Sequence, residues 1–299
     1  MVTKKIKNLT IIIGVSAAVL LSSGGCTSDI SKSPQNAEIP SSPSPTVSPS
    51  PEPLITAEEI SDADFTDYDN KPSGWGFKKI KGSEPDIPAK FIEMFRKYNT
   101  FYIDEKREKT LYLTFDEGYE NGYTAQILDV LKKHNVPAAF FITGPYLERE
   151  CELVGRMVDE GHIVGNHTVH HPNLPKLTSA KKMAEELCSL NEQFVSHFGF
   201  SMRYMRPPEG EYSERLLAVA NTLGYKTVFW SFAYRDWDPS AQKGASYAFE
   251  QVTPYLHDGA ILLLHAVSKD NADALENIIQ FALKSGYKFK SINEIVTNT

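Results

Sequence analysis

Residues 110–120 read TLYLTFDEGYE, an apolar β-rich run that ends on two adjacent acids, Asp116 and Glu117, and a glycine. Side chains alternate across a strand, so a run that is apolar at nearly every position is buried on both faces. Helix-covered parallel sheets bury their strands in this way. Acids leaving such a run stand at the carboxyl end of the strand, where parallel α/β folds build their sites. The same pattern recurs outward along the chain. With 110–115 as the first, comparable runs at 138–143, 162–165, 203–205, 226–232, 260–264 and 287–292 make seven candidate strands. Helical spacing fills the intervals at 123–134, 149–160, 179–198, 213–223, 245–256 and 272–284. Gly161, Gly224 and Gly286 stand where helices give way to strands, as C-caps do.

Regular strand and helix alternation predicts an α/β fold on a parallel sheet. Polar residues choose between an open sheet and a barrel. Asp116 and Glu117, Asn166 and His167, Arg206, Asp236, and His265 leave five different strand ends. A closed barrel gathers all of them at one mouth, whereas an open sheet spreads them along an edge. Neither GxGxxG nor GxxxxGK[ST] occurs, so no nucleotide site is expected.

The chain has 299 residues and a net charge of −7, which argues against a basic nucleic-acid face. Its three cysteines, Cys26, Cys151 and Cys188, are too few for a disulfide scaffold and form no CxxC pair. Cys151 and Cys188 remain candidates for a pair. Residues 1–26 read as an export signal: Lys4, Lys5 and Lys7, an apolar run at 9–21, then SSGGC. Small residues before Cys26 resemble a bacterial lipoprotein signal, in which that cysteine carries lipid. An ordinary cleaved signal or an uncleaved anchor are the alternatives, and all three put the remainder outside the cytoplasm, facing the cell wall. Residues 27–57, with seven prolines between Pro34 and Pro53, read as a disordered tether. An N-terminal extension packing on the barrel is expected over 58–109, and the catalytic domain over 110–299.

His167 and His171 lie four apart, a spacing that brings two imidazoles to one metal; with Glu117 they leave coordination positions open, as a catalytic divalent ion needs. Asp116 is then the base for a metal-bound water. His265 emerges at the barrel mouth as a candidate acid, with Asp236 to orient it and Arg206 to hold Asp116. His162 and His170 are read as structural, and His134, His197 and His257 as surface or capping residues. Trp237, Tyr119 and Tyr212 are candidates to stack on a sugar ring.

These residues resemble the polysaccharide deacetylases with the NodB homology domain, carbohydrate esterase family 4. TFDEGYE at 114–120, HTVHHP at 167–172, RPPEG at 206–210, WSFAYRDW at 230–237 and ILLLHAVS at 261–268 follow the order of that family's motifs. The resemblance implies a distorted (β/α)7 barrel. It implies Asp116 as general base, Glu117, His167 and His171 as metal ligands, His265 as general acid, Asp236 orienting it and Arg206 positioning the base. It also implies a divalent metal, with zinc expected, and Pro208, Trp237 and Tyr119 on the substrate side. Two positions depart: Glu117 is one methylene longer than the usual Asp, and Ala233 replaces an Asp that many members carry. With GWGFKK and KYNTFYID upstream, the chain is similar to the δ-lactam-biosynthetic de-N-acetylases of spore-forming bacteria. That implies N-acetylmuramic acid in peptide-stripped peptidoglycan as substrate and muramic δ-lactam of spore cortex as destination. Three alternatives stay open: an N-acetylglucosamine or chitin-like substrate, a glycoside hydrolase using two carboxylates, and a non-catalytic wall-binding lipoprotein.

Overall fold

The computed structural model describes residues 55–295; the export signal, Cys26 and the Ser/Pro-rich segment as far as residue 54 lie outside the described residues. The extension forms β1 (Ser73–Gly74), α1 (Ala89–Lys97) and β2 (Thr100–Phe101). Then come β3 (Thr110–Glu117), α2 (Thr124–His134), β4 (Ala138–Ile142), α3 (Gly144–Arg149), α4 (Cys151–Asp159) and β5 (Ile163–Asn166). The chain continues through α5 (Ala180–Phe198), β6 (Tyr204–Met205), β7 (Glu211–Tyr212), α6 (Glu214–Thr222) and β8 (Lys226–Val228). It ends with α7 (Ala245–Val252), β9 (Ala260–His265), α8 (Lys269–Lys284) and β10 (Lys288–Phe289).

Side-chain caps explain several helix bounds. Ser179 accepts the Lys182 N–H to start α5, and Gly199 ends it at φ 77°, a left-handed position that suits glycine. Ser268 accepts the Asn271 N–H, so α8 begins three residues before the expected 272. The helix expected over 149–160 is α4, and α3 is a further short helix ahead of it, with Glu150 capping both.

The main sheet runs β10-β3-β4-β5-β6-β8-β2, with β9 on the other side of β3. All its strand pairs are parallel. It curls until the segment after β8 reaches β9, where Phe232 bridges Leu262 and the Ser231 N–H donates to Ile261 O at 3.0 Å. A bridge rather than a long ladder closes the ring, so the barrel is distorted. The chain leaves regular pairing after Val228 to make that closure, which shortens the strand expected over 226–232. The extension does more than pack on this barrel. Its β2 is an edge strand of the sheet, with Thr100 opposite Thr227 and Phe101 opposite Val228.

Strand alternation divides the apolar residues into two layers. Tyr112, Ala139, Phe141, Tyr204, Val228 and Ile261 form one cluster inside the curl. Leu111, Leu113, Phe115, Phe140, Ile142, Leu262 and Leu264 pack outward with the helices. Trp75 belongs to the outer layer, donating through its N–H to Gly210 O and through Nε1 to Trp230 O, both at 2.9 Å. Cys151 and Cys188 are not joined to each other.

Candidate active site

The inward phase of each strand leads to a site residue. On β3, Tyr112, Thr114 and Asp116 share a face; on β9, Ile261 and His265 do; Tyr204 leads to Arg206, and Gly165 to His167. Asp116 and His265 stand directly opposite each other in the β3–β9 register.

Arg206 is fully buried and spans this inner face. Its Nη1 donates to Asp116 Oδ1 at 2.6 Å, Nη2 to Thr114 Oγ1 at 2.8 Å, and Nε to Val228 O at 2.9 Å. Its guanidinium also lies 4.2 Å from the centroid of the Phe141 ring. Burial works against charge on Asp116, but Arg206, His167 and His265 outweigh it and hold the carboxyl below the ordinary range. The carboxylate is thus ready to accept a proton, and Oδ2 is turned away from the guanidinium toward His167.

His265 lies across from it. Its Nδ1 donates to Asp236 Oδ1 at 2.7 Å, and Asp236 Oδ2 accepts the His265 backbone N–H at 2.9 Å. Burial disfavours the imidazolium, but Asp236 and then Asp116 overcome it, so His265 holds its proton above its usual pKa. The site therefore opposes a carboxylate kept charged to an imidazole kept protonated.

Backbone strain shapes the histidine loop. Thr168 and His171 have φ of 70° and 56°, and positive φ is costly for a β-branched residue such as Thr168. Local hydrogen bonds hold the shape: Thr168 N–H donates to Asn166 Oδ1 at 2.9 Å and His171 N–H to Thr168 Oγ1 at 3.0 Å. The two imidazoles then meet edge to face at 4.9 Å between centroids. His167 Nδ1 bonds to the Arg206 carbonyl at 2.8 Å, so that nitrogen carries the hydrogen and Nε2 keeps its lone pair. Burial presses its pKa down to about 4, leaving the ring neutral near pH 7. Nε2 faces Asp116 Oδ2 at 3.6 Å.

Comparison with known proteins bears on what this arrangement is. The polysaccharide deacetylase family model matches residues 103–228. The peptidoglycan-N-acetylmuramic acid deacetylase PdaA of Bacillus subtilis is 47% identical over 229 residues, 76% of this chain and 87% of that protein. The chain belongs to the polysaccharide deacetylase family. The solved structure of Bacillus subtilis PdaA, a family 4 carbohydrate esterase, superposes with a TM-score of 0.73 over 76% of this chain and 97% of that one. A family 4 carbohydrate esterase of Bacillus anthracis is 42% identical with a TM-score of 0.64, covering 76% and 97%. A chitooligosaccharide deacetylase of Bradyrhizobium is 37% identical over 178 residues, 59% of this chain and 79% of that protein.

Polysaccharide deacetylases imply a divalent metal, and the residues present meet that expectation in part. The neutral lone pair of His167 Nε2, with His171 against it, suits an ion. Glu117 does not join them. Since β3 continues regularly through Glu117, its side chain takes the outward phase of Leu113 and Phe115, opposite to Asp116. Both its carboxyl oxygens are buried without a hydrogen-bond partner. Burial, then Glu120 and Asp116, push its pKa well above the usual range, favouring the uncharged acid. Among the described residues no group of three or more His, Cys, Asp or Glu stands close enough to hold an ion.

The remaining polysaccharide deacetylase positions divide by exposure. Trp237 is 52% exposed with its ring edge to face on His265 at 5.8 Å, and Tyr119 is 48% exposed. Both are free to meet a sugar. Pro208 is buried in a 3₁₀ turn, and Tyr212 packs on Phe95 and Phe229 in the outer layer, away from any sugar. His170 is a surface partner of Glu186, and His162 is buried where β4 begins, accepting the Ala138 N–H. His257 is buried rather than on the surface, bonded to Ser231 Oγ at 2.8 Å, and its Nδ1 caps the Tyr255 carbonyl at the end of a 3₁₀ turn at 2.9 Å. Thr114 escaped the sequence reading, although it stands two before Asp116 and so shares its face.

Proposed function

We propose that this chain removes N-acetyl groups from peptidoglycan, acting on N-acetylmuramic acid stripped of its stem peptide, on the route to muramic δ-lactam in spore cortex. The opposition of Asp116 and His265 across one strand pair carries the reaction type. Kinship to the Bacillus subtilis enzyme over three quarters of the chain supports the sugar. In this reading Asp116 Oδ2 takes a proton from water as its oxygen bonds to the acetamide carbon. His265 then gives its proton to the nitrogen as the C–N bond breaks, and acetate leaves. Arg206 keeps the base charged and aimed; Asp236 does the same for the acid. His167 and His171 would hold a divalent ion, which would supply polarisation of the acetamide oxygen. Zinc is the proposed ion.

Acetate release from peptide-stripped glycan, intact peptidoglycan and chitooligosaccharide tests the proposal, with product masses identifying the sugar. Release from muramic acid in stripped glycan is expected, and Asp116→Asn should lower it by about 10²- to 10⁴-fold with the fold intact. Release from glucosamine alone would move the substrate to the alternative that the chitooligosaccharide deacetylase kinship favours. No release with any ion would leave a wall-binding protein. The proposed layout is a signal at 1–26 with lipid on Cys26, a tether at 27–57, an extension at 58–109 and the catalytic part at 110–299. It places the enzyme outside the cytoplasm on the membrane, as the apolar run at 9–21 and the prolines after it suggest. Loss of membrane association in Cys26→Ser tests the anchor.

A further inference from the structure

We infer that Asn271, held by Tyr234, is a positioning residue for the acid, fixing Asp236 so that it presents one oxygen to His265. Asp236 Oδ1 bonds the ring, while Oδ2 must be kept from rotating into its place. Three features hold it. Oδ2 accepts the His265 backbone N–H at 2.9 Å and Asn271 Nδ2 at 2.5 Å. Asn271 Nδ2 reaches the His265 carbonyl as well, at 3.2 Å. The amide itself is oriented, because its Oδ1 accepts the Tyr234 hydroxyl.

All the members are buried: Asn271 is 1%, Asp236 3% and Tyr234 8% exposed. Asn271 sits in the first turn of α8, its backbone N–H capped by Ser268 at 3.2 Å, so a rigid element carries the amide. The groups facing His265 are Asp236 from the loop after β8, Asn271 from α8, Asp116 from β3 and Arg206 from after β6, with the Trp237 ring at its edge. Among the described residues only Asp236 bonds its Nδ1. An amide flipped or removed therefore frees the one carboxylate that orients the acid. Asn271 touches no reacting atom, and its effect passes through Asp236.

This inference rests on the deacetylation reading, so its test uses one measurement that needs turnover and one that does not. In the full-length protein, Asn271→Asp keeps the shape and the acceptor for Tyr234 but turns an acceptor toward Asp236. Tyr234→Phe removes only the hydroxyl. For Asn271→Asp, kcat on stripped glycan should fall about tenfold or more with KM unchanged, well short of the roughly 10⁴-fold that misorienting a triad histidine costs. The alkaline limb of its pH profile should also move, since that limb reports the acid. Tyr234→Phe should move both in the same sense by less. NMR titration of the His265 ring nitrogens reads the same shift without substrate, whether or not any glycan is deacetylated. If Asn271→Asp fails to fold, Asn271→Ala takes its place in both measurements. A lowered melting temperature with kcat, pH limb and His265 titration all unchanged would overturn the inference and leave Asn271 a structural residue.

Discussion

His162 shows how one buried imidazole ties stability to pH. Its Nδ1 accepts the Ala138 N–H at 3.2 Å, its Nε2 is buried without a partner, and burial lowers its pKa to about 4. The unfolded chain protonates this ring near pH 6.5, whereas the folded one resists until about 4. Stability is therefore complete above pH 6.5 and is lost as pH falls between those values, by about 3 kcal/mol for this residue. His162→Asn keeps an acceptor for Ala138 and removes the titration. Urea midpoints of the variant should fall less between pH 7.5 and 4.5 than those of the parent. Equal falls would mean that the acid sensitivity comes from elsewhere. Glu117 is another buried group with open valences, and its fate follows from parity alone. Asp116 and Glu117 are adjacent acids in sequence, but a strand that runs through both sends them to opposite faces. The expectation of a shared ion placed the end of the strand two residues too early.

At the scale of elements, two glycines predict opposite outcomes for one substitution. A Cβ on Gly165 would come 2.6 Å from the Phe141 ring inside the barrel. Gly165→Ala should therefore cost about 1–3 kcal/mol by overpacking. In α4, a Cβ on Gly155 would meet nothing nearer than 3.8 Å, so Gly155→Ala should add about 0.5–1 kcal/mol through helix propensity. Thermal denaturation of the pair checks the sign of each. The long elements were legible in the sequence because each carries a sustained pattern: β4 is apolar throughout, β3 and β9 are largely apolar up to the polar residues at their carboxyl ends, and α5 repeats its apolar face over five turns. β2 and β1 were not, since two residues hold no period and their pairing depends on partners more than a hundred residues away. The site was legible for the same reason as the strands. Asp116, His167, Arg206 and His265 each follow an inward residue by two, and polar residues at a strand exit stand out. Asn271 gave no such signal, being one amide in the first turn of a helix whose partner lies in another loop.

Over the whole molecule, the extension braces the site from outside. Trp75 packs within 5.3 Å of the rings of Phe95, Tyr102 and Phe229, and holds Gly210 of the RPPEG turn through its backbone N–H. Trp75→Ala keeps that backbone bond but removes the ring and its Nε1 bond to Trp230 O; it should cost about 3–5 kcal/mol and lower activity together, because Trp230, which lies against the Arg206 guanidinium, loses its support. Unchanged activity in the folded variant would show that Arg206 is held by the barrel alone. The edge strand has a consequence in time. Synthesis runs from the N-terminus, and Phe101 has no ladder partner until Val228 has been made. At roughly 5–20 residues per second that wait is on the order of ten seconds. Until then the first part of the barrel is a sheet with an open flank, and the segment that begins the fold is among the last to be locked into it.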